Sequence, residues 1–223
     1  MKITNSGLFD HSMYIGKKLF ENTEFPWEIL PKIGSFVNDL GNKLDPSKYD
    51  RIKGDDDKFN VWIAKSANVS NKATIIGPVI IDERTEVRPY AYIRGNVLIG
   101  KGCVIGNSTE IKNAIIMDHV QIPHYNYVGD SILGNCAHLG AGVKISNLKC
   151  MKGEVVINGT YSTGLRKVGA FIGDKVEVGC NAVLNPGTVI GKRSIVYPLT
   201  SVRGIIFEDS IVKTGTTIIQ RGN

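Results

Sequence analysis

From Ile63 onward an aliphatic residue recurs at every sixth position: Ile63, Val69, Ile75, Ile81, Val87, Ile93, Ile99, Ile105 and Ile111. Two residues before each stands a small or β-branched residue, in order Val61, Ala67, Ala73, Val79, Thr85, Ala91, Val97, Cys103 and Thr109. After Ile111 the register slips by one and resumes at Ile116, Ile122 and Val128. It slips again to Leu133, Leu139 and Ile145, and returns after an interruption at Ile172, Val178, Leu184, Ile190, Val196 and Val202. A six-residue period fits neither an amphipathic helix nor a simple alternating strand, and it is the period of parallel β-helices. Each hexad supplies a short strand and a bend, with two inward side chains and often a glycine just after them, as at Gly100, Gly106, Gly134, Gly140 and Gly173. Stacked coils then pair edge to edge and bury one continuous apolar column. The twenty-one aliphatic positions, three to a coil, predict about seven coils. Period alone leaves the handedness open.

Residues 1–58 lack the repeat and predict a helical N-terminal appendage with a linker. Phe9 with Met13, Ile15 with Leu19, and then Ile29, Leu30, Ile33, Phe36, Val37 and Leu40 stand at three- and four-residue spacings, which suggests two short amphipathic helices. Pro26 and Pro31 fall near the start of the second. A cap over the first coil is the expected role, because an open β-helix end needs covering. The acidic stretch 53–58 is expected to be a solvated linker. The β-helix itself is expected over 59–202, with residues 146–170, polar and without hexads, looping out of it. Residues 203–223 are expected as an irregular tail in which the 212–219 segment adds a strand.

Of the 223 residues, 42% are hydrophobic and 22% charged, enough apolar content for a core and too much for a disordered chain. The first residues have no apolar signal-peptide core, and no apolar run approaches the roughly 20 residues that span a bilayer, so no membrane insertion and a cytoplasmic location are expected. Cys103, Cys136, Cys150 and Cys180 show no C-x-x-C pair, which points to free thiols. A net charge of +6 and a pI near 9.1 favour anionic partners. No basic cluster interleaved with aromatics appears, so a phosphorylated small molecule is expected ahead of nucleic acid.

The segment 121–130, Gln-Ile-Pro-His-Tyr-Asn-Tyr-Val-Gly-Asp, gathers a histidine, two tyrosines and an asparagine beside the register slips. A neutral imidazole there is able to take a proton from an attacking ammonium group, and it is equally able to be a surface contact. Six ordered segments then resemble the C-terminal acetyltransferase domain of the bifunctional glucosamine-1-phosphate acetyltransferase and N-acetylglucosamine-1-phosphate uridylyltransferase. These are residues 87–94 (VRPYAYIR), 106–112 (GNSTEIK), 124–130 (HYNYVGD), 139–142 (LGAG), Asn147 and 172–174 (IGD). The resemblance implies a left-handed parallel β-helix, a homotrimer, acetyl-coenzyme A as acetyl donor and an amino-sugar phosphate as acceptor. It implies His124 as general base, with Arg94, Lys112, Tyr127 and His138 on the acceptor. It implies Ala141, Asn147, Leu148, Lys167, Cys180 and Pro198 on the coenzyme. Guanidinium and ammonium suit a sugar phosphate; without the resemblance, Arg94 and Lys112 are simply outward, solvated charges. No catalytic metal is implied.

Three departures stand out. His138 replaces a substrate-binding asparagine of that family, Leu148 a tyrosine of the coenzyme site, and Pro198 an alanine of its channel, so the choice between glucosamine 1-phosphate and galactosamine 1-phosphate stays open. No glycine-rich nucleotidyltransferase signature precedes the repeats, and uridylyl transfer is expected to be absent. Two other functions compete on the same fold. One is a non-catalytic oligomerisation or regulatory module of a sugar-nucleotide pathway. The other is a zinc lyase similar to γ-class carbonic anhydrases, prompted by the five-residue spacing of His119 and His124 but lacking a third histidine in an earlier coil.

Overall fold

The computed structural model describes residues 3–214 and 217–220. The hexads form a parallel β-helix of about eight turns. Its first face runs through Val61–Ala64, Val79–Ile81, Val97–Ile99, the second halves of Glu110–Ile116 and Tyr127–Leu133, Ala170–Ile172, Thr188–Ile190 and Ile205–Ile206. The second runs from Asn68–Val69 to Ser210–Val212, and the third from Thr74–Ile76 to Ser201–Val202. Register is parallel and in step: Val61 pairs with Val79 and Val79 with Val97, one coil apart. The two one-residue slips fall within Glu110–Ile116 and Tyr127–Leu133, where one strand bends at Asn113 (φ 45°) or Asp130 (φ 49°) and passes from the third face to the first.

Every inward aliphatic residue from Val79 to Val202 joins one buried column, and that column continues through Ile206 and Val212. Those two added rungs lie in the stretch 203–223 expected as a tail, and they carry the count from about seven coils to about eight. The added strand is Ile218–Gln220, antiparallel to Ser210–Val212; residues 215–216 of the expected 212–219 strand lie outside the described residues. Where an inward position is polar, its side chain bonds to a neighbouring carbonyl: Thr85 Oγ1 donates to Gly100 at 2.6 Å and Ser194 Oγ to Phe207 at 2.9 Å. Burial without such partners would cost about 1–3 kcal/mol each.

The helical part of the appendage does not form the expected end cap. It lies lengthwise along the first face, whose outward residues Trp62, Ile80, Leu98, Ile115, Ile132, Phe171 and Val189 are all buried. Leu8, Phe9, Tyr14, Trp27, Ile29, Ile33 and Val37 cover them. Its two α-helices are shorter than the spacing predicted: Asn5–Leu8 is a single turn, Ile33–Gly41 starts only after Pro31, and short 3₁₀ turns at Lys17–Phe20, Pro26–Glu28 and Leu30–Lys32 lie between them. Met13 is 86% exposed, so Phe9 and Met13 do not share a buried helical face. The expected cover over the first coil comes from the last strand of the appendage, Tyr49–Ile52, antiparallel to Val61–Ala64.

Residues 146–170 do not stand free of the coil. Their hairpin, Val156–Ile157 with Tyr161–Ser162, folds back so that Val155, Ile157 and Val168 are buried in the same cluster as Trp27 and Phe171. The Tyr161 ring lies 6.1 Å from that of Trp27. The second and third faces are left uncovered by either appendage, and the candidate chemistry lies there.

Candidate active site

At the corner between the second and third faces, each coil hands a backbone hydrogen bond to the next. Tyr125 N donates to Asn107 O (3.0 Å), Gly142 N to His124 O (2.9 Å), Asn181 N to Ala141 O (2.8 Å) and Leu199 N to Cys180 O (2.9 Å). His124, Ala141 and Cys180 therefore stand on successive rungs of one ridge, with Pro198 next to Leu199 above them. Four sequence-predicted residues separated by up to seventy-four positions become neighbours along the helix axis. His124 is exposed, as are Cys180 and Pro198, while Ala141 is half-buried.

The ridge turns through left-handed residues: Tyr125 (φ 54°), Gly142 (φ 73°), Asn181 (φ 55°) and Leu199 (φ 59°). For Tyr125 and Leu199 this conformation costs about 1–2 kcal/mol, which only a surrounding structure that fixes the corner can hold. Asn126 supplies part of that hold. It occupies an inward position, is 3% exposed, accepts from His124 N at 3.1 Å and donates to Gly140 O at 2.7 Å. One buried amide thus ties the histidine turn to the Gly140-Ala141-Gly142 turn above it. Lys144 closes the same corner from outside, its ammonium donating to Gly142 O at 2.7 Å and Tyr125 O at 3.3 Å. Gly140 has no room for a side chain, because a Cβ there would lie 2.7 Å from Cys180 N.

On the adjoining third face, Ile93, Ile111 and Val128 pair in register, so Arg94, Lys112 and Gly129, each one residue further, form an outward column. Both cations hold carboxylates of their own chain. Arg94 Nη1 lies 2.8 Å from Glu110 Oε1, and Lys112 Nζ lies 3.2 Å from Asp130 Oδ2. The second pair is largely buried and is part of a network: Asn113 Nδ2 donates to Asp130 Oδ1 at 2.9 Å, and Asn147 Nδ2 donates to Asp130 Oδ2 and to the Tyr127 hydroxyl. Burial raises the Tyr127 phenol above its ordinary pKa, and the nearby Glu110 carboxylate adds to this, so it stays a neutral donor. A Cβ on Gly129 would meet Asn147 Nδ2 at 2.7 Å, so this floor stays open only with glycine. Arg94, Lys112, Tyr127 and Asn147 are therefore brought together.

Three sequence-predicted residues lie elsewhere. His138 faces outward on the second face, its Nδ1 2.8 Å from Glu177 Oε2, between Gln121 below and Glu177 above. Leu148 and Lys167 pair with one another where the 146–170 excursion leaves and rejoins the coil, at the far edge of the third face. His119 and His124 sit at opposite ends of Gln121–His124, His119 at the corner whose N–H bonds Lys101 O (2.7 Å), so they occupy different corners. Among the described residues no three His, Cys, Asp or Glu side chains form a group able to hold a metal. The sequence reading gave no role to Asn126, Asp130 or Lys144. Asn126 was detectable, since it is an amide at a position that the repeat gives to small or β-branched residues.

Comparison with known proteins supports the resemblance. A profile of the GMPPB C-terminal domain matches residues 75–163. A bifunctional protein GlmU from Methanococcus vannielii is 35% identical across 93% of this chain and 53% of its own length. A bifunctional sugar-1-phosphate nucleotidylyltransferase/acetyltransferase from Sulfurisphaera tokodaii is 38% identical across 62% of this chain and 40% of its own. The chain thus spans about half the length of the curated relatives it matches. Among solved structures, the UDP-N-acetylglucosamine O-acyltransferase LpxA from Moraxella catarrhalis superposes over 73% of this chain and 72% of its own, at 14% identity and a TM-score of 0.45. No described helix is long and apolar enough to cross a membrane.

Proposed function

We propose that this chain, a homologue of the GlmU proteins over about half their length, is an acetyl-coenzyme A-dependent N-acetyltransferase acting on an amino-sugar phosphate. The observation that carries this reading is the ridge: a solvent-facing histidine one rung below a glycine-alanine-glycine turn, with Cys180 and Pro198 continuing the line. Small residues at that turn leave a narrow path for the pantetheine arm, and the thioester carbonyl is placed beside His124.

In the proposed reaction Arg94 and Lys112 bind the acceptor phosphate, exchanging Glu110 and Asp130 for a dianion that offers more acceptor oxygens. Tyr127 donates to the sugar. His124 accepts a proton from the acceptor ammonium, and the freed amine attacks the thioester carbonyl. The C–N bond forms and the C–S bond breaks; of the two protons the nitrogen loses on becoming an amide, one passes through His124 to the departing thiolate and the other is released to solvent. The N–H groups of Tyr125, Gly142, Asn181 and Leu199 are committed to the coil, so the Ala141 N–H is the ridge donor proposed for the oxyanion. Cys180 acts in binding and forms no acyl-enzyme.

Asn147, Leu148 and Lys167 lie across the third face from the ridge, so in this reading a second copy of the chain brings its own corner against them. The proposal includes a homotrimer of left-handed coils with its sites in the grooves between copies. The fold alone is also compatible with a module that only assembles or regulates, which would bind no coenzyme. Replacing His124 by Ala separates the two: we expect retained assembly by light scattering, retained coenzyme A binding by calorimetry, and turnover lowered about 10²–10⁴-fold. Unchanged turnover eliminates His124 as the base, and a monomer eliminates the shared site.

A further inference from the structure

The outward column that starts with Arg94 and Lys112 continues above Gly129 through Ser146, Asn185 and Arg203, each one residue beyond a paired inward aliphatic. At its upper end a groove of about 820 Å³ opens between the 146–159 segment and the turns at 185–187 and 203–204. Its charged lining consists of Lys149, Lys152 and Arg203, with no carboxylate. Another groove, of about 1410 Å³ between the N-terminal segment and the hairpin, has Glu24 and Glu28 in its lining and neither lysine nor arginine. The two grooves thus differ in the sign of their charged lining, and the first favours an anion.

The groove's walls are fixed. Gly187 (φ 77°) has space only for hydrogen on the side facing the hairpin, where a Cβ would lie 2.8 Å from Val155. Lys149 Nζ donates to Glu154 O at 2.7 Å, which ties together the two ends of the 149–154 loop. Arg203 Nη2 is 3.5 Å from Asn185 Oδ1, a contact that occupies one of its five donors. The Glu154 carboxylate accepts from Ser162 Oγ at 3.0 Å and is not part of the lining.

We infer that this groove is a phosphate-binding site, distinct from Arg94 and Lys112, that takes the nucleotide end of a coenzyme. The phosphate chemistry rests on the groove's own charges; its assignment to the coenzyme rests on the proposed function. Distance separates the possible sources. In the proposed assembly the ridge of a second copy lies against the edge that carries Leu148, and the groove's Asn185 and Arg203 stand two and three rungs above Tyr127, a rise of about 10–14 Å at ~4.8 Å per rung. One sugar ring held at the Tyr127 rung cannot bridge that rise, whereas a long nucleotide-bearing thioester can.

The test is the double variant Lys152→Ala with Arg203→Ala, checked for an unchanged far-UV spectrum and melting temperature. Calorimetry would compare coenzyme A, 3′-dephospho-coenzyme A and inorganic pyrophosphate on wild type and variant, and kinetics would compare KM for donor and acceptor. We expect the variant to bind coenzyme A and pyrophosphate at least about tenfold more weakly, with acceptor KM unchanged. A rise in acceptor KM alone would keep the phosphate site and overturn the coenzyme assignment. Unchanged affinity for all three ligands would overturn the inference. If wild type binds pyrophosphate but no coenzyme and turns nothing over, the proposed function has failed while the phosphate site stands.

Discussion

Asn126→Ala is the perturbation with the most direct structural consequence. The side chain is 3% exposed and makes two bonds inside the coil, from His124 N (3.1 Å) and to Gly140 O (2.7 Å). Alanine leaves both backbone groups without that partner, and an unpaired buried polar group costs about 1–3 kcal/mol. The His124 N–H is partly open to water, so its share falls at the lower end, and the sum is about 2–4 kcal/mol. For a chain of this length each kcal/mol moves Tm by about 2–4 °C, giving a fall of roughly 5–15 °C. Asn126→Thr provides the control. Threonine at the same inward position of earlier coils donates to a carbonyl of the following coil, as Thr85 does to Gly100 and Thr109 to Ile122. It should therefore recover the Gly140 bond and about half the loss. Scanning calorimetry of the three proteins reads this directly, and turnover measured well below each Tm reports whether the histidine turn is displaced. A Tm for Asn126→Ala within 2 °C of wild type would refute the view that this amide holds the corner.

Other outcomes follow from the same structure. Burial pushes the Cys103 thiol up to about 12, so iodoacetamide at pH 8 should label Cys136, Cys150 and Cys180 in the folded protein and reach Cys103 only after denaturation, as mass spectrometry would show. Leu98→Ala should cost about 2–5 kcal/mol in urea unfolding although Leu98 points out of the coil, because the appendage buries it completely; Val183→Ala, outward on the uncovered third face, should change stability by less than about 0.5 kcal/mol. Tyr14, Tyr49 and Tyr127 are all raised, chiefly by burial. Above about pH 10 the unfolded chain ionises these phenols first, so their stabilising contribution, complete below pH 10, should fall as pH rises beyond it. Stability that holds constant from pH 9 to 11 would contradict this.

The β-helix was legible because a hexad is a local instruction: each aliphatic residue and the small one before it point inward whatever the rest of the chain does. Residues that pack on an outside surface carry no such local mark. Trp62, Ile80 and Leu98 recur every eighteen residues, followed by Ile115 and Ile132 at seventeen, a stripe visible only when whole coils are aligned. That stripe is the reason the helical part of the appendage lies along the first face rather than over its end. Ile206 and Val212 were missed because the register slips again before Ile206, with four residues in place of six after Val202. For the site, resemblance supplied the residues and the coil supplied their arrangement. His124, Ala141 and Cys180 form a ridge because one turn of the helix takes seventeen or eighteen residues, and because the 146–170 excursion leaves and returns without disturbing that stacking. His138 faces away from the ridge because it stands one residue before the inward Leu139, on the second face.

The account depends most on acetyl transfer itself, and thiol release from acetyl-coenzyme A tests it most directly. With glucosamine 1-phosphate and galactosamine 1-phosphate supplied in parallel, the account predicts one thiol released for each amine acetylated, with at least one of the two sugars, and loss of that release in the His124→Ala protein. No release with any amino-sugar phosphate, together with no binding of the coenzyme, would contradict it.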